Sequence, residues 1–209
     1  MFEQAVDAQV LLLIEKLSTI EEVSKLFYLA GGTGLALHLG HRKSEDIDLF
    51  TPSEGVAGKG ANIIGSLGGQ ILIDERNTVH GIVDGVKVSF ILYPYEIMGD
   101  FSFIRAIRIA SLQDIACMKT IAIAQRAEKK DFFDMFEICK FLTPGEIRKL
   151  IIKKYGEKRL NCYHILKSFL FFDDAESSPD PISLTGTTWK QVKEFFIANE
   201  KKLSDDLMC

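Results

Sequence analysis

Apolar residues in the first part of the chain recur every three or four positions. Val6, Val10 and Ile14 follow the spacing of an amphipathic helix, so residues 3–25 are predicted to form one or two helices. The next stretch, YLAGGTGLALHLGHRKSEDIDLFT (residues 28–51), is predicted to form a short strand, a Gly-Gly turn, a one-face-apolar helix and a second strand. Helices therefore precede a strand–helix–strand unit.

Alternating apolar residues indicate further strands in the middle of the chain. Asp84-Gly85 is typical of a tight hairpin turn, and it lies between two alternating segments, Thr78–Val83 and Val86–Tyr93. The other elements predicted here are a helix near Ala57–Leu67, a strand over Ile71–Glu75 and a short edge strand over Ile107–Ala110. Helices and strands are thus mixed in this part of the chain.

Beyond residue 110 the pattern is helical. Thr143-Pro144-x-Glu146 combines an N-cap, a proline at N1 and an acid at N3, and Thr188-x-x-Gln191 is a second capping signal. The first predicted helix after residue 110 ends at about Arg126, and the second spans Lys130–Phe141. The helix that begins at Thr143 ends at about Tyr155, the next spans about Arg159–Phe172, and the helix that begins at Thr188 ends at Leu203. Asp173–Gly186 is predicted to be a polar linker.

The order of elements predicts an α+β fold with two domains, a mixed sheet with flanking helices in residues 1–110 and an all-helical half in residues 111–209. The 209 residues are 47% hydrophobic and 26% charged, which is typical of a soluble globular protein. No apolar run approaches the roughly 20 residues that span a bilayer. Acidic Glu3 and Asp7 precede Val10–Ile14, which argues against a signal peptide, so we expect a cytoplasmic protein with no membrane partner.

Charge is distributed unevenly along the chain. The net charge of -4 argues against extensive coating by nucleic acid. Between residues 148 and 167, however, the only acid is Glu157. The basic residues of this segment are Arg148, Lys149, Lys153, Lys154, Lys158, Arg159 and Lys167. This basic segment (residues 148–167) predicts either a surface that docks a phosphate backbone or an ordinary solvated helix face.

The strongest chemical pattern is a pair of acids after a glycine turn. Residues two apart on a strand share a side, so Asp46 and Asp48 point the same way, and a divalent cation with oxygen ligands relieves their repulsion. Gly31-Gly32 opens a helix whose first backbone N–H groups can hold a phosphate. Gly-Gly alone is usually a tight turn, and Asp-x-Asp alone is usually a solvated strand end. Together and in this order they predict a site for metal-assisted nucleotidyl transfer.

The pattern LAGGT-LALHLGHR-S-DIDLF resembles the nucleotidyltransferase superfamily, and within it the AbiEii-type abortive-infection toxins of type IV toxin–antitoxin systems. The resemblance implies Mg²⁺ or Mn²⁺ as cofactor and an NTP as substrate. The residues that it implies in this stretch are Asp46 and Asp48 as catalytic acids and metal ligands, and Gly31, Gly32, Thr33 and Ser44 as nucleotide-binding residues.

The resemblance extends to ASLQDIACMKTIAIAQRAEKKDFFDMF (residues 110–136). Lys119 is the only charged residue of IACMKTIAIA and lies on an apolar helical stripe, where it either snorkels to water or reaches a phosphate-bearing cleft. By its position alone, Asp131 is an exposed acid at a helix start. The resemblance instead implies that Lys119 and Asp131 are catalytic and that Asp134 helps to bind the nucleotide.

One position departs from the superfamily. Many nucleotidyltransferases carry a third carboxylate on the strand beside Asp-x-Asp, where it helps to deprotonate the attacking hydroxyl. Here that strand reads VKVSFIL, with Ser89 at the candidate position and no Asp or Glu between Val86 and Tyr95. The general base is then Asp48, Asp131 or a metal-bound water, or else catalysis is weak or lost.

The resemblance implies an enzyme that moves NMP from ATP, GTP or CTP to an acceptor hydroxyl and releases pyrophosphate. The implied acceptor is RNA, at a tRNA 3′ end, and the implied role is that of a bacterial toxin with a cognate antitoxin protein as partner. Two alternatives stay open. One is transfer to a small molecule such as an antibiotic, and the other is a non-catalytic nucleotide-binding or interaction module.

Overall fold

The computed structural model describes residues 1–55 and 57–207. Over these residues the chain forms two compact units. The first, called here the sheet unit, consists of Met1–Gly40 and Ser44–Ser111. The second, called the helical unit, consists of His41–Lys43 and the residues from Leu112 onward. The short segment His41–Lys43 therefore belongs to the helical unit although its neighbours in sequence belong to the sheet unit.

Over the described residues, the sheet unit contains one mixed sheet. Its strands are β1 (Tyr28–Leu29), β2 (Ile47–Thr51), β3 (Gln70–Glu75), β4 (Thr78–Val83), β5 (Val86–Leu92), β6 (Ser102–Ile104) and β7 (Ile107–Ile109). Their order across the sheet is β3-β4-β5-β2-β1-β7-β6. β2 is parallel to β5 and β1 is parallel to β7, whereas the other neighbouring pairs are antiparallel. The predicted α+β class with a mixed sheet is confirmed.

The strand predicted at the sheet edge is an inner strand. β7 lies between β1 and β6, so that Arg108 pairs with Tyr28 and with Phe103. The edge strand on this side of the sheet is β6, which the sequence pattern missed because its central residue, Phe103, is apolar but exposed, so the segment does not alternate between polar and apolar residues. The Asp84-Gly85 turn lies where it was predicted, between β4 and β5.

Helices of the sheet unit cover one face of the sheet. They are α1 (Ala8–Ser18), α2 (Glu21–Leu26), α3 (Gly31–Leu39) and α4 (Ala57–Ser66). Residues of α1 and α4 pack in one core cluster with the strand residues Ile47, Leu49, Val79, Val88 and Phe90. Because side chains alternate along a strand, the intervening residues Asp48, Ser89 and His80 point to the opposite face. We call this opposite face, defined by Asp48, Ser89 and His80, the site face.

The helical unit contains α5 (Leu112–Gln125), α6 (Lys129–Ile138), α7 (Pro144–Tyr155), α8 (Cys162–Leu170), α9 (Asp173–Glu176), α10 (Trp189–Ala198) and α11 (Glu200–Leu207). The capping boxes predicted at Thr143 and Thr188 are both present, with reciprocal side chain–backbone hydrogen bonds. The last predicted helix is divided at Asn199, whose side chain donates to the carbonyl oxygen of Phe195 (2.8 Å). In the described ranges, no helix combines the length and hydrophobicity that a membrane span requires.

The predicted linker Asp173–Gly186 is partly structured. α9 lies at its start, and its later residues pair with the segment His41–Lys43. The N–H of Lys43 donates to the carbonyl oxygen of Ile182, and the N–H of Leu184 donates to that of His41, both at 2.8 Å. These backbone hydrogen bonds attach the segment His41–Lys43 to the helical unit.

Candidate active site

Gly31 lies at the junction of β1 and α3, directly against Asp48. Its φ of +62° falls in the left-handed region, which glycine adopts without steric cost. A Cβ atom at this position would lie 2.8 Å from Oδ2 of Asp48. The N–H of Ala30 donates to the carbonyl oxygen of Asp48 (3.2 Å). Gly31 and Asp48 are therefore in direct contact, and the Asp48 carboxylate occupies space that a side chain at position 31 would need.

Replacing Gly31 by Ala is expected to lower nucleotidyl transfer about tenfold, because the new Cβ would displace the Asp48 carboxylate. The left-handed backbone would also cost about 1–2 kcal/mol of stability. Gly68 is a matched control, since its φ is +70° and a Cβ there meets nothing within 4 Å. Gly68→Ala should lose similar stability and keep its transfer rate. Equal transfer of labelled NMP by the two variants would contradict a functional role for the contact.

Two buried hydroxyl groups hold the loop that precedes β2. Thr33 donates to the carbonyl oxygen of Asp46, and Oγ of Ser44 lies 2.8 Å from Oγ1 of Thr33. Because the single hydroxyl proton of Thr33 is directed to Asp46, Ser44 is the donor in the second bond. Both side chains are buried. These two hydroxyls therefore position Asp46, and nucleotide contacts by Thr33 and Ser44 stay a prediction.

Asp46 and Asp48 are both partly exposed; Asp46 directly precedes β2 and Asp48 lies on it. Within the described residues, no group of three or more His, Cys, Asp or Glu side chains is arranged to hold a metal ion. In nucleotide sites, however, Mg²⁺ is commonly bound by one or two carboxylates together with substrate phosphates. Oδ2 of Asp48 lies against Gly31, the first residue of α3, where the N–H groups of a helix start can bind a substrate phosphate. The two acids therefore fit Mg²⁺ or Mn²⁺ that arrives with a nucleotide.

A row of three polar side chains crosses the site face. β2 and β5 are parallel, and Asp48 pairs with Ser89. β4 and β5 are antiparallel, and Ser89 pairs in turn with His80, whose Nδ1 lies 2.8 Å from Oγ of Ser89. Ser89 therefore lies beside Asp48, at the position where many nucleotidyltransferases carry a third carboxylate. His80 is missing from the sequence-based hypotheses, although counting residues back from the Asp84-Gly85 turn would have placed it opposite Ser89.

In the helical unit, Asp134 is the centre of a buried ion-pair network. Its Oδ1 lies 2.7 Å from Nε2 of His41 and accepts from Nε of Arg42 (2.6 Å). Its Oδ2 accepts from Nη2 of Arg42 (2.9 Å) and lies 2.5 Å from Nζ of Lys119. Burial alone would raise the pKa of Asp134, but the charges of Arg42 and Lys119 hold that pKa well below its ordinary value. Asp134 is therefore ionised at neutral pH.

Asp131 joins this network through Lys119. Nζ of Lys119 lies 2.8 Å from Oδ1 of Asp131, and the guanidinium of Arg126 donates to both carboxylate oxygens (2.9 and 3.0 Å). Asp131 is fully buried, so the alternative of an exposed acid at a helix start is wrong. Burial opposes the charged form of Asp131, but Lys119 and Arg126 outweigh it and lower the pKa.

Lys119 does not snorkel to water, because only 4% of the residue is exposed. Burial would lower the pKa of its ammonium, but Asp134 and Asp131 raise it, so the group stays charged. Both acids that the sequence singled out on α6 are thus partners of the lysine that it singled out on α5. Contacts of Lys119, Asp131 and Asp134 with a nucleotide stay a prediction.

Relatives of known sequence place this chain in a family. The family model described as "Nucleotidyl transferase AbiEii toxin, Type IV TA system" matches residues 17–85, a range that includes Gly31, Asp46, Asp48 and His80. The uncharacterized protein aq_aa25 of Aquifex aeolicus (strain VF5) is 36% identical over 200 residues, which cover 87% of this chain and 92% of that one.

Solved structures share the fold. MenT4, the nucleotidyltransferase toxin Rv2826c from Mycobacterium tuberculosis H37Rv, matches with a TM-score of 0.56 at 14% sequence identity. The superposition covers 95% of this chain and 89% of the MenT4 chain. ANT(2'')-Ia in complex with adenylyl-2''-tobramycin matches with a TM-score of 0.56 at 16% sequence identity. The superposition covers 70% of this chain and 97% of the ANT(2'')-Ia chain. The family model together with the shared fold identifies a nucleotidyltransferase. Within that class, the chain belongs to the AbiEii nucleotidyltransferase toxin family.

Proposed function

We propose that this nucleotidyltransferase is metal-dependent and moves NMP from an NTP to a hydroxyl group of RNA, at a tRNA 3′ end. The observation that carries the proposal is the contact between Gly31 and the Asp48 carboxylate at the start of α3. The backbone N–H groups of a helix start hold phosphate, and the adjacent acids hold a cation that phosphate also binds. A triphosphate and its divalent ion therefore suit this end of the sheet unit.

The chain's own residues have distinct tasks in this proposal. Gly31, Gly32 and Thr33 direct backbone N–H groups to the phosphates, while Thr33 and Ser44 hold Asp46 by their hydroxyls. Asp46 and Asp48 would hold Mg²⁺ or Mn²⁺, which, when bound, neutralises charge that develops on the phosphates. Such catalysis consists mostly of positioning and electrostatics.

The basic segment 148–167 supports RNA as the acceptor. Lys154 is buried in an ion pair with Asp114 (2.7 Å), and Arg148 is only partly exposed, so neither is a free surface cation. The exposed cations of the segment are Lys149, Lys153, Lys158, Arg159 and Lys167. A cluster of exposed cations on a chain of net charge -4 is suited to a phosphate backbone.

Incubation of the protein with total tRNA, Mg²⁺ and each labelled NTP in turn is expected to label tRNA and to release pyrophosphate. Removal of the divalent ion with EDTA should stop both. Reversal of two exposed charges, Lys149→Glu with Lys153→Glu, should raise the KM for tRNA about tenfold and leave the KM for NTP unchanged. Lys190→Glu with Lys201→Glu is the matched control, because both lysines are exposed in the helical unit outside the basic segment.

The same assay contains the outcome that would contradict the proposal. Labelling of an aminoglycoside, and not of tRNA, would assign the chain a small-molecule acceptor. NTP binding without pyrophosphate release would contradict the transfer reaction itself. Family membership also supports a cognate antitoxin protein as partner, and the product of an adjacent gene is the natural candidate.

A further inference from the structure

His80 and Ser89 form a hydrogen-bonded pair beside the paired acids. Nδ1 of His80 lies 2.8 Å from Oγ of Ser89, and the strand register sets Ser89 next to Asp48. A serine hydroxyl bonded to an imidazole nitrogen can pass its proton to that nitrogen. Ser89 is buried and His80 is partly exposed. The pair thus provides a proton acceptor one strand away from Asp48.

We propose that Ser89 and His80 accept the proton of the attacking hydroxyl group. The inference rests on the proposed transfer reaction and names the base that this reaction requires. Ser89 occupies the register position beside Asp48 but has no basic group of its own. His80, directly behind Ser89, supplies the nitrogen that Ser89 lacks.

The proposed step balances as follows. The acceptor oxygen forms a bond to the α-phosphorus, and the bond from that phosphorus to the bridging oxygen of pyrophosphate breaks. The proton of the acceptor hydroxyl passes to Oγ of Ser89, and the proton of the Ser89 hydroxyl passes to Nδ1 of His80. Pyrophosphate leaves with its electron pair, and His80, now an imidazolium, releases its proton to water.

The other acids suggested by the sequence are poorer bases. Ion pairs with Lys119 and Arg126 lower the pKa of Asp131, so its carboxylate has little tendency to take up a proton. Asp134 is held still more firmly by Arg42 and Lys119, which keep its pKa well below the ordinary value. Asp46 and Asp48 are assigned to the divalent ion. Among the described residues of the site face, His80 is bonded directly to the side chain beside Asp48.

His80→Asn is the decisive variant, because the asparagine amide can replace Nδ1 as a hydrogen-bond partner of Ser89 but cannot take up a proton. We expect a loss of about 100-fold in kcat with no change in the KM for NTP or in the binding of a fluorescent NTP. His38→Asn is the matched control, since His38 is partly exposed like His80 and its ring is hydrogen-bonded to the carbonyl oxygen of Ala110, but it has no role in the proposed reaction.

A second readout is the pH profile of kcat. The wild-type rate should fall on the acid side, as expected for a reaction that needs a proton acceptor, and this acid limb should be absent in His80→Asn. The strand register places three charged groups on the same side of the sheet as His80, namely Glu75 from β3, Lys87 from β5 and Asp48 from β2. Glu75→Gln and Lys87→Met leave His80 in place, so both variants should retain an acid limb.

Rescue separates proton transfer from positioning. Ser89→Asp introduces a carboxylate in register with Asp48, so the double variant Ser89→Asp/His80→Asn should recover at least about tenfold of the activity that His80→Asn loses. If His80→Asn kept the kcat of the wild type and the acid limb of its pH profile, the inference about Ser89 and His80 would be overturned. The proposed function would not be affected. A wild-type enzyme that transfers no nucleotide would overturn both.

Discussion

Asp46→Asn and Asp48→Asn should each lower nucleotidyl transfer by about 1,000-fold, the largest loss of activity that we expect from any single substitution. Each variant keeps the shape of the side chain but removes one of the two charges available to a divalent ion. Binding of NTP in the presence of Mg²⁺ should weaken as well. Stability should change little, because removal of one of two neighbouring like charges relieves repulsion. Transfer of labelled NMP to tRNA and thermal unfolding measure the two effects separately.

Glu45→Gln is the control for this prediction. Glu45 lies beside Asp46 in the sequence but is exposed, and its substitution removes the same charge from the same loop. Transfer by Glu45→Gln should remain close to wild type. If all three variants lost activity equally, the effect would reflect the general charge of the loop and would contradict a metal site at Asp46 and Asp48.

Asp134→Asn should destabilise the helical unit by about 3–5 kcal/mol. The neutral amide would remove one of the two carboxylates beside Lys119 and the carboxylate that accepts both hydrogen bonds from Nε and Nη2 of Arg42, so two buried cations would lose charge compensation. The free energy of unfolding can be measured by urea titration at pH 7. Asp205→Asn, at an exposed acid of α11, should change it by no more than about 0.5 kcal/mol. A loss in Asp134→Asn no larger than that of Asp205→Asn would contradict the structural importance of the network.

The pH dependence of stability follows from the same network. Asp134 and Asp131 have folded-state pKa values below the ordinary value of 3.8, so their stabilisation is present above that value and is lost as the pH falls through the lower, folded-state values. Wild-type stability should therefore decline on acidification below about pH 4. Asp134→Asn should show a weaker decline, because one of the two acids no longer titrates.

Local sequence signals predicted much of the fold because each depends on neighbouring residues alone. The capping boxes at Thr143 and Thr188 need only a side chain and a backbone group three residues apart. The Asp84-Gly85 turn and the alternation on each side predicted β4 and β5, and the register from that turn would also have revealed His80 opposite Ser89. β6 was missed because Ser102-Phe103-Ile104 lacks the apolar–polar–apolar alternation that Ile107-Arg108-Ile109 of β7 shows.

The sequence by itself determined the α+β class, the glycine turn before a pair of acids, and Lys119, Asp131 and Asp134 as the unusual charges of the second half. Only the tertiary structure decided that those three form one network with Arg42, which is 92 residues from Asp134 in the chain. The physical reason is that a buried charge is compensated by whichever opposite charge the fold brings near, and no local periodicity records that partner.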